Sequence, residues 1–246
     1  MSNFTYLITG ASRGLGLGYT AGLLASSPSI RVVATARTPD SAAELQKLAE
    51  DSANEGRLLV KQLDVSSHES IKALAAELET HPFLRDGLDC LVNNAGIAVD
   101  REFKTNIVTA DDSELPLILE TNLYGAIRTT NAFLPLLRRG RGKQVLMVSS
   151  TVGSFESFIK SPLMPMYAIS KTALNQAMVK YAYLLGEEGF TVLAFSPGYV
   201  KTDFVPGGGD LTVQEAVNFA VKNVFQKAGP ELNGKFIDYD GKMLAW

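Results

Sequence analysis

Tyr167 and Lys171 stand four residues apart in the run Met166-Tyr167-Ala168-Ile169-Ser170-Lys171. On a helix that spacing puts both side chains on one face. A tyrosine with a pKa of about 10 is a poor proton source or sink at neutral pH. An ammonium ~4 Å away, at an effective dielectric of ~20, favours the phenolate by about 4 kcal/mol before burial takes some of it back. Such a pair is poised for general acid–base work. Upstream, Val148-Ser149-Ser150 closes an apolar strand pattern, where a serine hydroxyl could donate to a substrate oxygen and stabilise developing charge. No histidine or acid partners either serine in a triad pattern, which disfavours a hydrolase. Asn122 lies inside an apolar helical pattern, where a polar side chain needs a buried partner. Its two readings are bonding of the helix backbone and anchoring of a water for proton relay.

A second constellation lies near the start. Thr9-Gly10-Ala11-Ser12-Arg13-Gly14-Leu15-Gly16 separates the first strand pattern from the first helix. Glycines there allow a tight turn and close backbone approach, so a pyrophosphate can rest on the helix N-terminus. The spacing G-x-x-x-G-x-G differs from both the G-x-G-x-x-G fingerprint and the Walker loop. An NAD site usually places an acid about 20 residues past the glycines. Here Ala36 and then Arg37 occupy that place, and Arg13 lies within the loop itself. Two guanidiniums with no carboxylate suit a 2′-phosphate, because Arg forms forked, charge-assisted bonds to phosphate. NADP(H) is therefore the expected cofactor.

Elements able to position these groups alternate along the chain. Strand patterns read at Phe4–Thr9, Arg31–Ala36, Arg57–Leu63, Leu88–Asn93, Lys143–Ser149, Thr191–Ser196 and Lys235–Asp238. Helical periods read at Ser41–Ala53, Ser67–Leu78, Leu115–Leu137, Met166–Leu185 and Val213–Phe225. Alternation of this kind predicts a parallel sheet with helices on both faces. No repeat or linker divides the 246 residues, so one domain (1–246) is expected. Three longer irregular stretches, Ile97–Ser113, Thr151–Pro165 and Asp203–Leu211, follow strands and should gather at the carboxyl edge of the sheet. Composition narrows the function classes. With 23 basic and 26 acidic residues and no basic block, neither nucleic acid nor a membrane surface is an expected partner. A lone Cys90 excludes an internal disulfide, and with His68 and His81 it forms no short-spacing metal motif. No apolar run approaches the ~18 residues of a membrane span, and the first strand pattern begins at Phe4 with no leader expected ahead of it. A cytoplasmic protein without metal is the resulting expectation.

Taken in order, several motifs make the chain resemble the short-chain dehydrogenase/reductase family over essentially its whole length. They are the loop at 9–16, Asp64-Val65, Asn93-Asn94-Ala95-Gly96, Asn122, Ser150, Tyr167-x-x-x-Lys171 and Pro197-Gly198. The resemblance implies a Rossmann-like, doubly wound domain with a seven-stranded parallel sheet flanked by helices. It also implies a catalytic tetrad in which Ser150 orients the carbonyl, Tyr167 passes the proton, Lys171 lowers the tyrosine pKa and binds the nicotinamide ribose, and Asn122 holds the relay water. Gly10, Ser12, Arg13, Gly14, Leu15, Gly16 and Arg37 would meet the phosphates, and Asp64 and Val65 would flank the adenine. Asn93, Ala95 and Gly96 would line the cofactor, while Pro197, Gly198, Val200 and Thr202 would position the nicotinamide. Within the family, Arg13 and Arg37 resemble the NADP-preferring branch, and the ending Gly234–Trp246 is similar to the sniffer and C-factor group of carbonyl reductases.

The expected activity is NADPH-dependent reduction of a ketone or aldehyde to an alcohol. A non-catalytic NADP(H)-binding regulator, and the same enzyme run as an alcohol dehydrogenase, are the alternatives. Seventeen positions separate Ser150 from Tyr167, more than is usual in the family, and the added stretch Ser154–Pro165 carries Phe155, Phe158 and Ile159. With Leu163, Met164, Met166, Tyr199, Phe204 and Val205 as further wall candidates, an apolar or aromatic small-molecule substrate is expected. Helices 115–137 and 166–185 resemble those that pair subunits in related enzymes, so a homodimer or homotetramer is expected.

Overall fold

Each strand of a sheet buried on both faces must be apolar on both, and this chain supplies such runs. A computed structural model describes residues 3–100, 104–156, 161–205 and 208–246. The runs form β1 (Phe4–Ile8), β2 (Ile30–Ala36), β3 (Leu58–Gln62), β4 (Cys90–Asn93), β5 (Gln144–Val148), β6 (Thr191–Ser196) and β7 (Phe236–Asp238). They pair in parallel as one sheet in the order β3-β2-β1-β4-β5-β6-β7. Alternate residues feed two separate cores. Tyr6, Ile8, Val32, Val92, Leu146 and Phe195 face one, and Leu7, Val33, Leu91, Met147 and Val192 face the other.

Helices cover each face. On the first lie α1 (Gly14–Ser26), α2 (Ala43–Glu50) and α7 (Val213–Asn223), with Tyr19, Leu23, Leu45 and Val217 buried against the strands. Gly18 and Gly22 let α1 press on α7, since a Cβ on either would come within 2.7 Å and 2.5 Å of Val217 methyls. On the second face lie α3 (His68–Thr80), α5 (Ala126–Arg139) and α6 (Pro165–Gly186), contributing Ile71, Phe133, Leu174 and Met178. Helices on both faces of a parallel sheet make this a doubly wound, Rossmann-like α/β fold. The strand order reverses between β1 and β4, and ligands of such sheets enter the crevice beyond the strand carboxyl ends at that point.

Two expectations are corrected. The helix expected over Ser41–Ala53 is reduced to α2, because Pro39–Ser41 and Ser52–Asn54 tighten into 3₁₀ turns on either side. The helix expected over Leu115–Leu137 is interrupted. It comprises α4 (Glu114–Leu119), a π-helical turn at Glu120–Gly125, and then α5. The wider turn brings the backbone at Gly125 against Val65, whose carbonyl oxygen would lie 2.9 Å from any added Cβ. Turns of this type are frequent at functional sites.

Candidate active site

The glycine loop owes its shape to close backbone contacts. Gly10 has φ +68°, and a Cβ there would sit 3.0 Å from the Ala95 Cα. A Cβ on Gly16 would lie 2.3 Å from the Gly10 carbonyl oxygen and 2.6 Å from Asn94 Nδ2. Asn94 pins the loop directly: its Nδ2 donates to the Thr9 and Gly10 carbonyls at 2.8 and 3.2 Å. Thr9 Oγ1 in turn accepts the amides of Asn94 and Ala95 at 3.0 and 2.9 Å. Asn94 was visible in the sequence only as half of an Asn-Asn pair, and nothing there says which asparagine faces the loop.

α1 begins at Gly14 with an extended Arg13 as its N-cap, no side-chain cap and no acid in its first turn. Its first N–H groups have no carbonyl one turn back within the helix. A dinucleotide pyrophosphate fits this end, as both charge and free donors favour an anion there.

Around the loop, the residues named from the sequence separate into those that face the cleft and those that serve the core. Ser12 and Leu15 are half-buried in the loop, and Gly96 lies where a Cβ would be 3.4 Å from Asn122 Oδ1 and 3.6 Å from Lys171 Nζ. Asn93, expected to line the cofactor, has its buried Nδ2 turned to α5, donating to Thr130 Oγ1 at 3.0 Å. Its side chain is an internal brace, because strand alternation directs it away from the crevice. Asp64 Oδ1 accepts from the Ser66 amide and hydroxyl, which shapes the turn after β3, and Val65 is buried beside it. Arg37 is exposed at the end of β2. Arg13, expected beside Arg37 on one phosphate, pairs with Asp203 at 3.1 Å. On the far side, Gly198 takes φ +84° against Tyr239, Val200 is buried and bridges Leu211, and Thr202 lies over Gly14.

The four residues of the expected tetrad converge where β5, the π turn and α6 meet. Asn122 Oδ1 accepts the Ile97 amide at 2.8 Å, while its Nδ2 donates to the Ile97 carbonyl at 2.9 Å and to Ser170 Oγ at 3.0 Å. Both amide protons are thus spent on protein acceptors, so this side chain locks the backbone of the segment after β4 to α6. Ser170, another residue the sequence reading passed over, donates to the Tyr167 carbonyl at 2.7 Å and so links Asn122 to the tyrosine. Of the serine pair, Ser149 is buried and donates to Asn175 at 2.6 Å, while Ser150 is half-buried and caps the turn at Thr151–Gly153. Lys171 is buried, with Nζ donating to the Val148 carbonyl at 2.8 Å and lying 5.5 Å from the Tyr167 ring centre.

Electrostatics at the pair reverse the expected balance. Burial pushes the Tyr167 phenol above its ordinary range and pulls the Lys171 ammonium down to about 8. The reason is that both groups are desolvated, which penalises the phenolate and the ammonium alike. The tyrosine is accordingly a protonated acid at neutral pH, in reach of a lysine that changes charge just above it.

The irregular stretches form the walls. A narrow cavity of about 10 Å³, room for one water, lies between Val99, Asp100, Thr105, Glu114 and Ile118 on one side and Met164, Pro165, Met166 and Tyr167 on the other. Asn106 and Leu163 bridge the two walls, and Phe204 packs on Tyr167 with ring centres 5.3 Å apart. Two acids, Asp100 and Glu114, stand in this lining beside the expected apolar residues Met164 and Met166. Phe155 is exposed, and Phe158 and Ile159 lie outside the described residues. No group of three or more His, Cys, Asp or Glu among the described residues could hold a metal.

A doubly wound sheet, a glycine loop on its first helix and a half-buried tyrosine beside a buried lysine at the carboxyl edge define a dinucleotide-dependent oxidoreductase. Residues 5–227 match the short chain dehydrogenase family, and the chain belongs to it. It is similar to the short chain dehydrogenase gsfK of Penicillium aethiopicum, at 34% identity over 98% of this chain and 99% of the relative. Among solved structures it is similar to the carbonyl reductase Sniffer of D. melanogaster, with TM-score 0.89, 31% identity and complete coverage of both chains. The NADPH-bound carbonyl reductase from chicken fatty liver matches equally, with TM-score 0.89, 32% identity and complete coverage of both chains.

Two outcomes follow from this geometry. Asn94→Ala removes both bonds to the glycine loop, and should cost about 1–3 kcal/mol in a thermal or urea melt and weaken dinucleotide binding about tenfold. Unchanged binding would show that the loop holds its shape without Asn94. Because Lys171 is charged below about 8 and neutral above, kcat/KM for carbonyl reduction should be level at lower pH and fall as pH rises through about 8. A profile flat into the ordinary lysine range would count against a requirement for the ammonium.

Proposed function

We propose that the protein is an NADPH-dependent carbonyl reductase in which Tyr167 is the proton donor. The observation that carries this reading is the buried Lys171, held by the Val148 carbonyl 5.5 Å from the Tyr167 ring centre, beside a phenol that burial keeps protonated. The chain binds NADP(H). Gly10, Ser12, Gly14, Leu15 and Gly16 take the pyrophosphate, and Arg13 and Arg37 take the 2′-phosphate. Ala95, Gly96, Pro197, Gly198, Val200 and Thr202 border the nicotinamide half, with Asp64 and Val65 beside the adenine. When bound, NADPH supplies the hydride.

The chain's own residues do the rest. Ser150 donates a hydrogen bond to the substrate oxygen and fixes the carbonyl plane. Tyr167 delivers the phenolic proton to that oxygen as charge develops on it, and Lys171 stabilises the phenolate left behind. Lys171 spends one of its three N–H donors on Val148, which leaves others for the ribose and the tyrosine. Asn122 and Ser170 act as positioning residues that hold the first turn of α6 in place. The substrate is a ketone or aldehyde with an apolar or aromatic body seated on Met164, Met166 and Phe204. The reading further takes the chain as one catalytic domain, cytoplasmic, and a homodimer or homotetramer. Among the described residues no helix is long and apolar enough to cross a membrane.

Tyr167→Phe should lower NADPH-dependent reduction of a carbonyl panel by about 10²–10⁴-fold and leave the Kd for NADPH within about twofold. Retained turnover, followed by NADPH absorbance, would sink the proton-donor assignment. Arg37→Asp should shift the NADPH/NADH preference toward NADH by about tenfold or more, as charged hydrogen bonds to the 2′-phosphate are lost. An unchanged ratio would remove Arg37 from the phosphate site.

A further inference from the structure

Arg13 is placed where it cannot serve two anions at once. Its Nη1 bonds Asp203 Oδ2 at 3.1 Å, joining the glycine loop to the segment after β6 across the cofactor crevice. Both side chains are largely in water, at 67% and 74% exposure, so this pair is weak and free to exchange partners. Asp203 itself is held. It lies in a turn closed by the Val205 amide on the Thr202 carbonyl at 2.9 Å, and Thr202 lies over Gly14. With its backbone held there, the Asp203 carboxylate stays within reach of Arg13 and competes with any phosphate that Arg13 is to bind.

Resting on the NADP reading above, we infer that Asp203 is a specificity-determining residue. It is a built-in competitor for Arg13, displaced when the 2′-phosphate of NADP(H) binds. The exchange is charge for charge. Arg13 leaves a monodentate, hydrated carboxylate for a phosphate of higher charge that can accept a forked pair of bonds. NAD(H), lacking the 2′-phosphate, leaves the Arg13–Asp203 pair intact. Asp203 therefore lowers the affinity for the phosphorylated cofactor alone and sets how strongly the protein prefers it.

Calorimetric titration of adenosine 2′,5′-bisphosphate and adenosine 5′-monophosphate into the whole protein separates this effect from turnover. Asp203→Asn should tighten the bisphosphate about two- to five-fold, the range of an exposed ion pair, and leave the monophosphate unchanged. In an Arg13→Ala background the same substitution should change neither ligand. Equal tightening of both ligands, no tightening at all, or tightening that persists without Arg13 would each overturn the exchange. If Arg13→Ala by itself costs no bisphosphate affinity, the exchange is overturned at its root. The Arg37→Asp variant, titrated alongside, then reports whether the 2′-phosphate reading survives on Arg37. Melting curves of all variants confirm folding, which these exposed side chains should not alter.

Discussion

A buried ammonium is the constraint around which the site is organised. Lys171 is 3% exposed, and an unpaired charge in that position would cost several kcal/mol. Among the described residues no carboxylate bonds it; the Val148 carbonyl does, at the end of β5. Part of the cost is met by titration, which burial brings close to neutrality. The same burial holds the Tyr167 phenol protonated. Placing a lysine at the carboxyl edge, on the helix turn that follows a tyrosine, thus creates a protonated acid and a nearby charge that is easily lost. Gly153 is part of this arrangement, because a Cβ there would come within 2.8 Å of the Lys171 backbone.

The surrounding elements keep that pair in register. The π turn at Glu120–Gly125 points Asn122 at Ile97 on one side and Ser170 on the other, joining the segment after β4 to the start of α6. Met164, just before α6, adopts the left-handed conformation at φ +59°, a strained entry into the helix that brings Met166 and Tyr167 to the cavity lined by Ala98, Val99, Asp100 and Thr105. Asn94 performs the equivalent service for the glycine loop, so the two halves of the crevice are fastened by two asparagines whose side-chain amides donate to backbone carbonyls.

Cations at the crevice are divided between tasks. Lys171 is internal and fixed, Arg37 is exposed at the end of β2, and Arg13 is engaged by the segment after β6. Phe204, next to Asp203, packs on Tyr167, so neighbouring residues of one segment touch the glycine loop and Tyr167. Cofactor recognition and the substrate side of the site share that piece of chain.

Most of the architecture was legible along the chain. Fully apolar runs such as Val145–Val148 and Val192–Phe195 declare strands buried on both faces, and their alternation with helical periods leaves a parallel, doubly wound sheet as the economical solution. The motif residues of the site were legible too, since Tyr167 and Lys171 are neighbours on any helix and glycines after a strand mark a turn. What the linear order could not contain is contact between distant segments. The π turn looks like an unbroken helical period, because the extra residue shifts the phase without changing the apolar pattern. Which of Asn93 and Asn94 faces the glycine loop, and which of Ser149 and Ser150 is buried, depends on strand alternation counted from a sheet already assembled. The balance of charge at Tyr167 and the partner of Arg13 were likewise decided only by the fold. Desolvation depends on everything packed around a group, and Asp203 lies 190 residues from the arginine it holds.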